Sequence, residues 1–255
     1  MDFLQLIQVT KCHHMPITKL AINSKGTILV SGSEDKTVFI HQIFKDTSYV
    51  KLVPIGFIKV PAPVTCFNWN QKKVSVVMVG ILDFIIIFQQ FSTLIVGCKN
   101  GHVIEADVPE KPNTYTDVSF HLGHIPLKYL KFKSVKSLIK RNLKIKDIEV
   151  RKQTKRAKKL KELEKLQMDN PEVDINQETF LADSDNEEEL EKIFIPEVAN
   201  SVLFIQYTNT ESLWISIGGY DAGFIYEYNF DSSEPLSCVM IPDADDVEIH
   251  SYIYM

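Results

Sequence analysis

The chain has 255 residues, 45% of them hydrophobic, with 28 Lys and Arg against 33 Asp and Glu. That is enough apolar material for a substantial core and excludes wholesale disorder. A formal charge of −5 is too small to single out nucleic acid as a partner. Cys12, Cys66, Cys98 and Cys238 are far apart, without C-x-x-C spacing, and read as buried free thiols in a reducing compartment. The opening residues, MDFLQLIQVTK, carry no positive region ahead of a long apolar run, so no secretory signal is expected. The first patterned stretch, Pro16 to Ile43, reads as three short strands. Ile17 to Ile22 alternates loosely, Ile28 to Val30 is a brief apolar run, and Val38 to Ile40 is a third. Ser24-Lys25-Gly26 and Ser31 to Asp35 supply turn chemistry between them.

His14 stands just ahead of the first strand and His41-Gln42 closes the third. In these features the stretch resembles a WD40 repeat, the unit of a β-propeller blade, with His-Gln where that family has Trp-Asp. The resemblance implies that Asp35, in the turn between the second and third strands, hydrogen-bonds backbone and histidine. Asp35 and Gly32 are then structural residues of the blade turn rather than catalytic ones.

A second copy follows. Residues 63–73 lie over 16–26 at a constant offset, and 92–108 over 27–43 at another. Pro63, Thr65, Asn70 and Lys72 repeat Pro16, Thr18, Asn23 and Lys25. Leu94, Gly97 and Val103 repeat Leu29, Gly32 and Val38, and Asn100 takes the place of Asp35. The two offsets differ because the second copy carries an insertion, Val74 to Phe91 (VSVVMVGILDFIIIFQQF). Three readings compete for it. It is short for a transmembrane helix, which needs ~20 residues, and Asp83 sits near its middle. It can be an extra strand pair or helix inside the blade. It can also be foreign to the fold, a splice variant or an intron translated in frame. The last is preferred, because the turn closes without the insertion and its composition changes abruptly at both flanks. Tyr49 to Val60 and Tyr115 to Leu122 are expected as outer strands of the two copies. His121 and His124 form too poor a ligand set for a metal site.

Residues 133–192 do not fit a blade. From Lys133 to Lys165 there are 14 Lys and Arg against 4 Asp and Glu, without Gly or Pro, which predicts a long exposed helix over 133–168. It should stop before Pro171. From Asp169 to Glu191 there are 10 Asp and Glu and no Lys or Arg, which predicts an acidic linker over 169–192. Ser184, followed by DNEEE, has the context of an acidophilic kinase site. A further blade is expected in 193–255, with strands at Val202–Tyr207, Leu213–Ile217 and Phe224–Phe230. Gly219 and Asp221 approximate Gly32 and Asp35, and Trp214 is read as packing. The chain is therefore expected to be mainly β, a partial WD40 propeller of about three blades. Blades fill 1–132, apart from the insertion at 74–91, and 193–255, and a charged helix interrupts them.

The combination APVTCFNW, LIVGCKNGHVIEADVP, LKYLKFKSVKSLIKR and LWISIGGYDAGFIYEY resembles the WD-repeat region of cilia- and flagella-associated proteins. That resemblance implies a non-enzymatic scaffold of the motile axoneme, part of a tether near inner-arm dynein. It implies other axonemal tether proteins as partners and a parent protein much longer than this chain, ending in coiled coil. With fewer blades than the roughly 4–8 of a closed propeller, a fragment or truncated product is expected. The alternative is a generic intracellular WD40 adaptor, including one in an RNA–protein assembly that the Lys-rich helix would contact. The chain has no G-x-S-x-G, P-loop, G-x-G-x-x-G or H-E-x-x-H motif. No catalysis, cofactor, metal or small-molecule ligand is expected, and a membrane role rests on 74–91 alone.

Overall fold

A computed structural model describes residues 6, 8–47, 49–82, 85–111, 120–123, 125, 127–169, 190, 192–196, 200–208, 211–232, 234–241 and 246–251. The chain divides into two units, Met1–Lys133 with Glu197–Met255, and Ser134–Pro196. The first unit holds three four-stranded antiparallel sheets, a partial propeller-like architecture as expected.

Blade A is β1 (Ile17–Ile22), β2 (Ile28–Ser33), β3 (Thr37–Lys45) and β4 (Val50–Lys59), in that order. Blade B is β5 (Val64–Leu82), β6 (Ile85–Cys98), β7 (His102–Pro109) and β8 (Leu127–Lys131). Blade C is β9 (Val202–Tyr207), β10 (Ser212–Ile217), β11 (Phe224–Asn229) and β12 (Ser237–Met240).

The three are built alike in detail. Each first strand carries a register irregularity next to its start, at Ile17/Lys19, at Val64/Cys66 and opposite Ser216/Ile217. A bulge of this kind re-aims the side chains that follow. Each second turn contains a residue with positive φ: Lys36 at 64°, Gly101 at 76° and Gly223 at 86°. The carbonyl of that residue receives the same bond in every blade, from the N–H of Val60, Phe132 and Ile241 respectively. Thr18 Oγ1 donates to the Gly32 carbonyl at 3.1 Å, and its repeat Thr65 donates to the Gly97 carbonyl at 3.0 Å. Matching hydrogen bonds, and not only matching letters, make A and B copies of one unit.

Apolar residues of alternate strand positions fill the space between the sheets. Ile28, Val30, Val38, Ile40, Ile55 and Ile58 of blade A form one cluster with Val64, Leu94, Val96, Ile104 and Ala106 of blade B. Beyond it, Ile205, Leu213, Ile215, Phe224, Tyr226 and Tyr228 are buried in blade C. Phe132 meets the rings of Tyr226 and Tyr228 edge-on, with centroids 5.0 and 5.9 Å away.

One sequence expectation is corrected. The outer strand of blade B is β8, not 115–122. Leu130 is buried while its neighbours Tyr129 and Lys131 are exposed, the alternation of a one-sided strand. Residues 112–119 lie outside the described ones. His121 belongs to blade A instead: Phe57 N–H donates to the Phe120 carbonyl and Leu122 N–H to the Phe57 carbonyl, both at 2.9 Å, capping β4. Of the structures weighed for the insertion, its described residues form the strand pair. Its described residues lengthen β5 and β6 into one hairpin, with Val74 opposite Ser92 and Leu82 opposite Ile85. Its β-branched content (Val74, Val76, Val77, Ile81, Ile85, Ile86, Ile87) suits a strand.

The second unit is described by α1 (Lys136–Asp169), a 34-residue helix that stops two residues before Pro171. Leu138, Leu143, Val150 and Leu166 are exposed along it, as a weak apolar stripe implies. Arg151 pairs with Asp147 one turn earlier at 3.5 Å, a contact worth only tenths of a kcal/mol on an open surface. Most of the acidic linker, Ser184 included, lies outside the described residues. Among the described residues, no helix is long and apolar enough to cross a membrane.

Candidate functional site

The most highly connected polar group in blade A is Asp35, in the turn after β2. Its carboxylate is 1% exposed. One oxygen, Oδ1, accepts from Thr37 N–H at 3.0 Å and from the Thr37 hydroxyl. The other, Oδ2, lies 3.0 Å from His13 Nδ1 and accepts from His14 N–H at 3.3 Å. His13 Nε2 in turn meets Ser31 Oγ at 2.8 Å. Burial pushes the Asp35 carboxyl up, but the hydrogen bonds from Thr37, His13 and the His14 backbone outweigh it, and its pKa is lowered. The network ties the residues before β1 to β2 and to the start of β3.

The histidine inside this network is His13 and not His14, the residue that spacing singled out. His14 reaches Asp35 through its backbone and a 3.4 Å ring contact, with its side chain 80% exposed. His13 has no partner motif in the sequence. It is found only once the chain is seen to bend at His14-Met15 and bring it against Ser31.

At the equivalent turn of blade B, Asn100 Oδ1 accepts from His102 N–H at 3.4 Å. In blade C, Asp221 is fully buried at the end of a 3-10 turn, Gly219–Asp221, and accepts from the Tyr226 hydroxyl at 3.0 Å. Gly219 opens that turn with a φ of 63°. The register position of Gly32 and Gly97 is held in blade C by Ser216, because Gly32 faces Val38, Gly97 faces Val103 and Ser216 faces Ile225.

Gly32 and Gly97 are where one blade receives the next. A Cβ on Gly32 would stand 2.5 Å from Val64 Cγ1 and 2.7 Å from Phe67 Cζ. One on Gly97 would meet Cys66 Sγ of its own blade first and stand 2.8 Å from Val202 Cγ1 of the next. The single Thr65 hydroxyl proton is shared between the Gly97 carbonyl and the nearer Val202 carbonyl, and Tyr207 O–H donates to Glu105 Oε2 at 2.9 Å. Among the described residues, no further blade covers Ser216. Its hydroxyl donates to the Ile249 carbonyl, Gly219 N–H donates to Glu248 Oε1, and Gly223 N–H donates to the Val247 carbonyl. The segment 247–249 thus lies where β5 and β9 lie on the preceding blades.

Burial pushes the Cys66 and Cys98 thiols up to about 12, the state of inert thiols rather than nucleophiles. Among the described residues, no group of three His, Cys, Asp or Glu is placed to hold a metal ion. Of the sequence-predicted residues, Gly32 and Gly97 lie in β2 and β6, and Asp35, Asn100, Gly219 and Asp221 in the turns that follow the second strands.

What this arrangement defines is a propeller-like stack of repeated blades whose buried polar groups bind the chain to itself. No protein-family model matches the chain. It is 31% identical over 235 residues to cilia- and flagella-associated protein 44 of Mus musculus, an alignment covering 90% of this chain and 12% of that protein. It is 43% identical over 51 residues to the periodic tryptophan protein 2 homolog of Schizosaccharomyces pombe, covering 20% of this chain and 6% of that protein. The chain thus matches only a small part of either relative's length. The first match supports the ciliary-protein resemblance read from the sequence across nine tenths of the chain.

Proposed function

We propose that the chain is a blade-bearing part of a non-enzymatic WD40 scaffold of the motile cilium or flagellum. The observation that carries this reading is the 31% identity to cilia- and flagella-associated protein 44 over 90% of the chain. The finer role is mechanical: it tethers inner-arm dynein to the axonemal doublet, with other tether proteins as neighbours, and so supports beating. Close-packed sheets joined face to face resist deformation, as a tether under load requires. The polar groups at their turns hold the blade rather than a substrate, which supports a scaffold over an enzyme.

Immunolocalisation with detergent extraction tests the address. The protein should stay with the microtubule skeleton after the ciliary membrane is removed and be released only by high salt. Release by detergent alone, or absence from cilia, would refute it.

The second reading, an adaptor in an RNA–protein assembly, has the basic helix α1 behind it. Salt-dependent RNA binding that is lost when the Lys and Arg residues of 151–161 are neutralised would favour that reading.

A further inference from the structure

Blade B outruns its own sheet. β6 pairs with β7 only from Phe91, opposite Pro109, to Gly97, opposite Val103. On the other side of Phe91 the ladder with β5 goes on alone, from Ser75 opposite Phe91 to Leu82 opposite Ile85. Residues 74–82 and 85–90 therefore leave the four-stranded sheet as a two-stranded ribbon, and among the described residues neither of its edges is paired. Two strands alone are marginal in water, and three or more are needed for independent stability. The ribbon's sequences, VSVVMVGIL and IIIFQQ, hold no charge and no proline. Neither run has the polar alternation of a strand with one wet face.

The outer strands show how this fold treats an open edge elsewhere. β4 carries Lys51, Pro54 and Lys59 and is capped by 120–122. β8 carries Lys128 and Lys131, and β12 is only four residues long. Lysine, proline, cover and shortness are devices that keep an edge from pairing with another strand. The two edges of the ribbon differ in this respect. Along β5 the register shifts between Met78 and Gly80, a bulge that breaks the row of backbone donors and acceptors. Along β6 every residue from Ile85 to Gln90 takes its partner in turn, and none of the devices is present.

We propose that the 85–90 edge of β6 is where two copies of this chain associate. The two segments lie antiparallel about a two-fold axis, and the two ribbons become one four-stranded sheet. Length and boundaries select this occupant. The edge is bounded by Pro109 of β7 at one end and by the start of β6 at Ile85 at the other. The same edge of a second copy, run antiparallel, has that length and brings its own Ile85 end beside Pro109, so neither β7 is displaced. A strand like β4 or β8 would instead set lysines against an uncharged edge. The bulged β5 edge takes no partner, so association closes at two copies and does not grow into a fibre. The contact is smaller than the roughly 20–30 residues a side of a stable interface, so it reverses on dilution.

The test is sedimentation equilibrium of the purified 255-residue chain over a range of concentrations. A reversible monomer–dimer equilibrium is expected. Ile87→Lys should raise its Kd at least about tenfold, whereas Val76→Lys, the same charge placed on β5, should leave it within about threefold. Deletion of 74–91 should leave monomer at every concentration. A second measurement needs no loss of function. Phe88→Cys, in a chain that also carries Cys12→Ser and Cys238→Ser, should form a covalent dimer on oxidation with copper phenanthroline, and Lys51→Cys on guarded β4 should not. A wild-type chain that is monomeric throughout would overturn the proposal. So would assemblies larger than two, equal weakening by the two lysine variants, or flotation of the chain with phosphatidylcholine vesicles, which would assign the ribbon to lipid. None of these readouts depends on where the protein resides, so the ciliary reading stands or falls separately.

Discussion

Asp35 accepts from the Thr37 and His14 backbones and meets His13 while shielded from water. Replacing it by alanine strands several buried donors, each costing about 1–3 kcal/mol. Asp35→Ala is therefore expected to destabilise the chain by about 2–4 kcal/mol in urea unfolding. His14→Ala, whose backbone bond survives, should cost under about 1 kcal/mol. The same group sets part of the acid response. Its folded pKa is lowered, so its stabilisation is full above the unfolded value of about 4 and is lost as pH falls through the lowered value. His41 acts at higher pH. Burial, then the nearby His13, holds its pKa below the ordinary value, and its Nδ1 is buried without a partner among the described residues. A base with a lowered folded pKa contributes stability above about pH 6.5 that is lost as pH falls below it. Unfolding free energy should therefore decline between pH 7 and 5, and His41→Phe, which keeps a ring beside Phe39, should flatten that decline. The left-handed residue offers the opposite sign. Lys36 holds a conformation that glycine holds in the other two blades. Lys36→Gly should stabilise the chain by about 1 kcal/mol, the left-handed strain it relieves less glycine's extra unfolded-state entropy. At this scale the sequence disclosed Asp35 through its turn, but not His13 or Ser31. Two adjacent histidines are equivalent in spacing, and only the bend at His14-Met15 decides which one is buried.

At the level of strands, Gly32 matters because another blade rests on it. Its backbone needs no special φ, so the cost of a side chain there is purely that of overpacking. Gly32→Ala and Gly97→Ala should each cost about 1–3 kcal/mol, measured as a lowered urea midpoint with unchanged slope. The hairpin of blade B makes a separate case. Trp69 faces Leu94 across β5 and β6 as Ile22 faces Leu29 across β1 and β2. Removing Val74 to Phe91 would leave a connection of the same length as Asn23 to Ile28. Deletion of those 18 residues is expected to keep the blade folded, hold or raise Tm, and reduce aggregation, since Ile85 to Phe88 is a β-prone apolar run. Loss of cooperative unfolding in the deletion would show instead that the extension belongs to the blade. Strand pairing was legible in the constant offsets between the copies, because each strand holds one register with its neighbour. The insertion was not legible, since an apolar run of that length does not tell helix from strand by periodicity. Position β12 escaped notice for a related reason: four residues with two exposed apolar side chains carry no alternation to detect.

For the molecule as a whole, the decisive property is that the same junction is used twice. Val64 on Gly32 and Val202 on Gly97 make blades A, B and C a one-directional series, in which blade A receives blade B and blade B receives blade C. The sequence showed that a unit recurs, but the direction of stacking and the tail at 247–249 depend on contacts between residues far apart in the chain. A scaffold built this way should fail when a junction is blocked even though every blade residue that could face a partner is intact. The direct measurement is the fraction of protein retained on detergent-stripped axonemes in cells expressing either the wild-type sequence or Gly97→Val at equal levels. Wild-type protein is expected to be retained, and the variant, with its junction to Val202 forced open, to be lost into the soluble fraction. Equal retention of both, or wash-out of the wild-type protein with the membrane, would contradict the account.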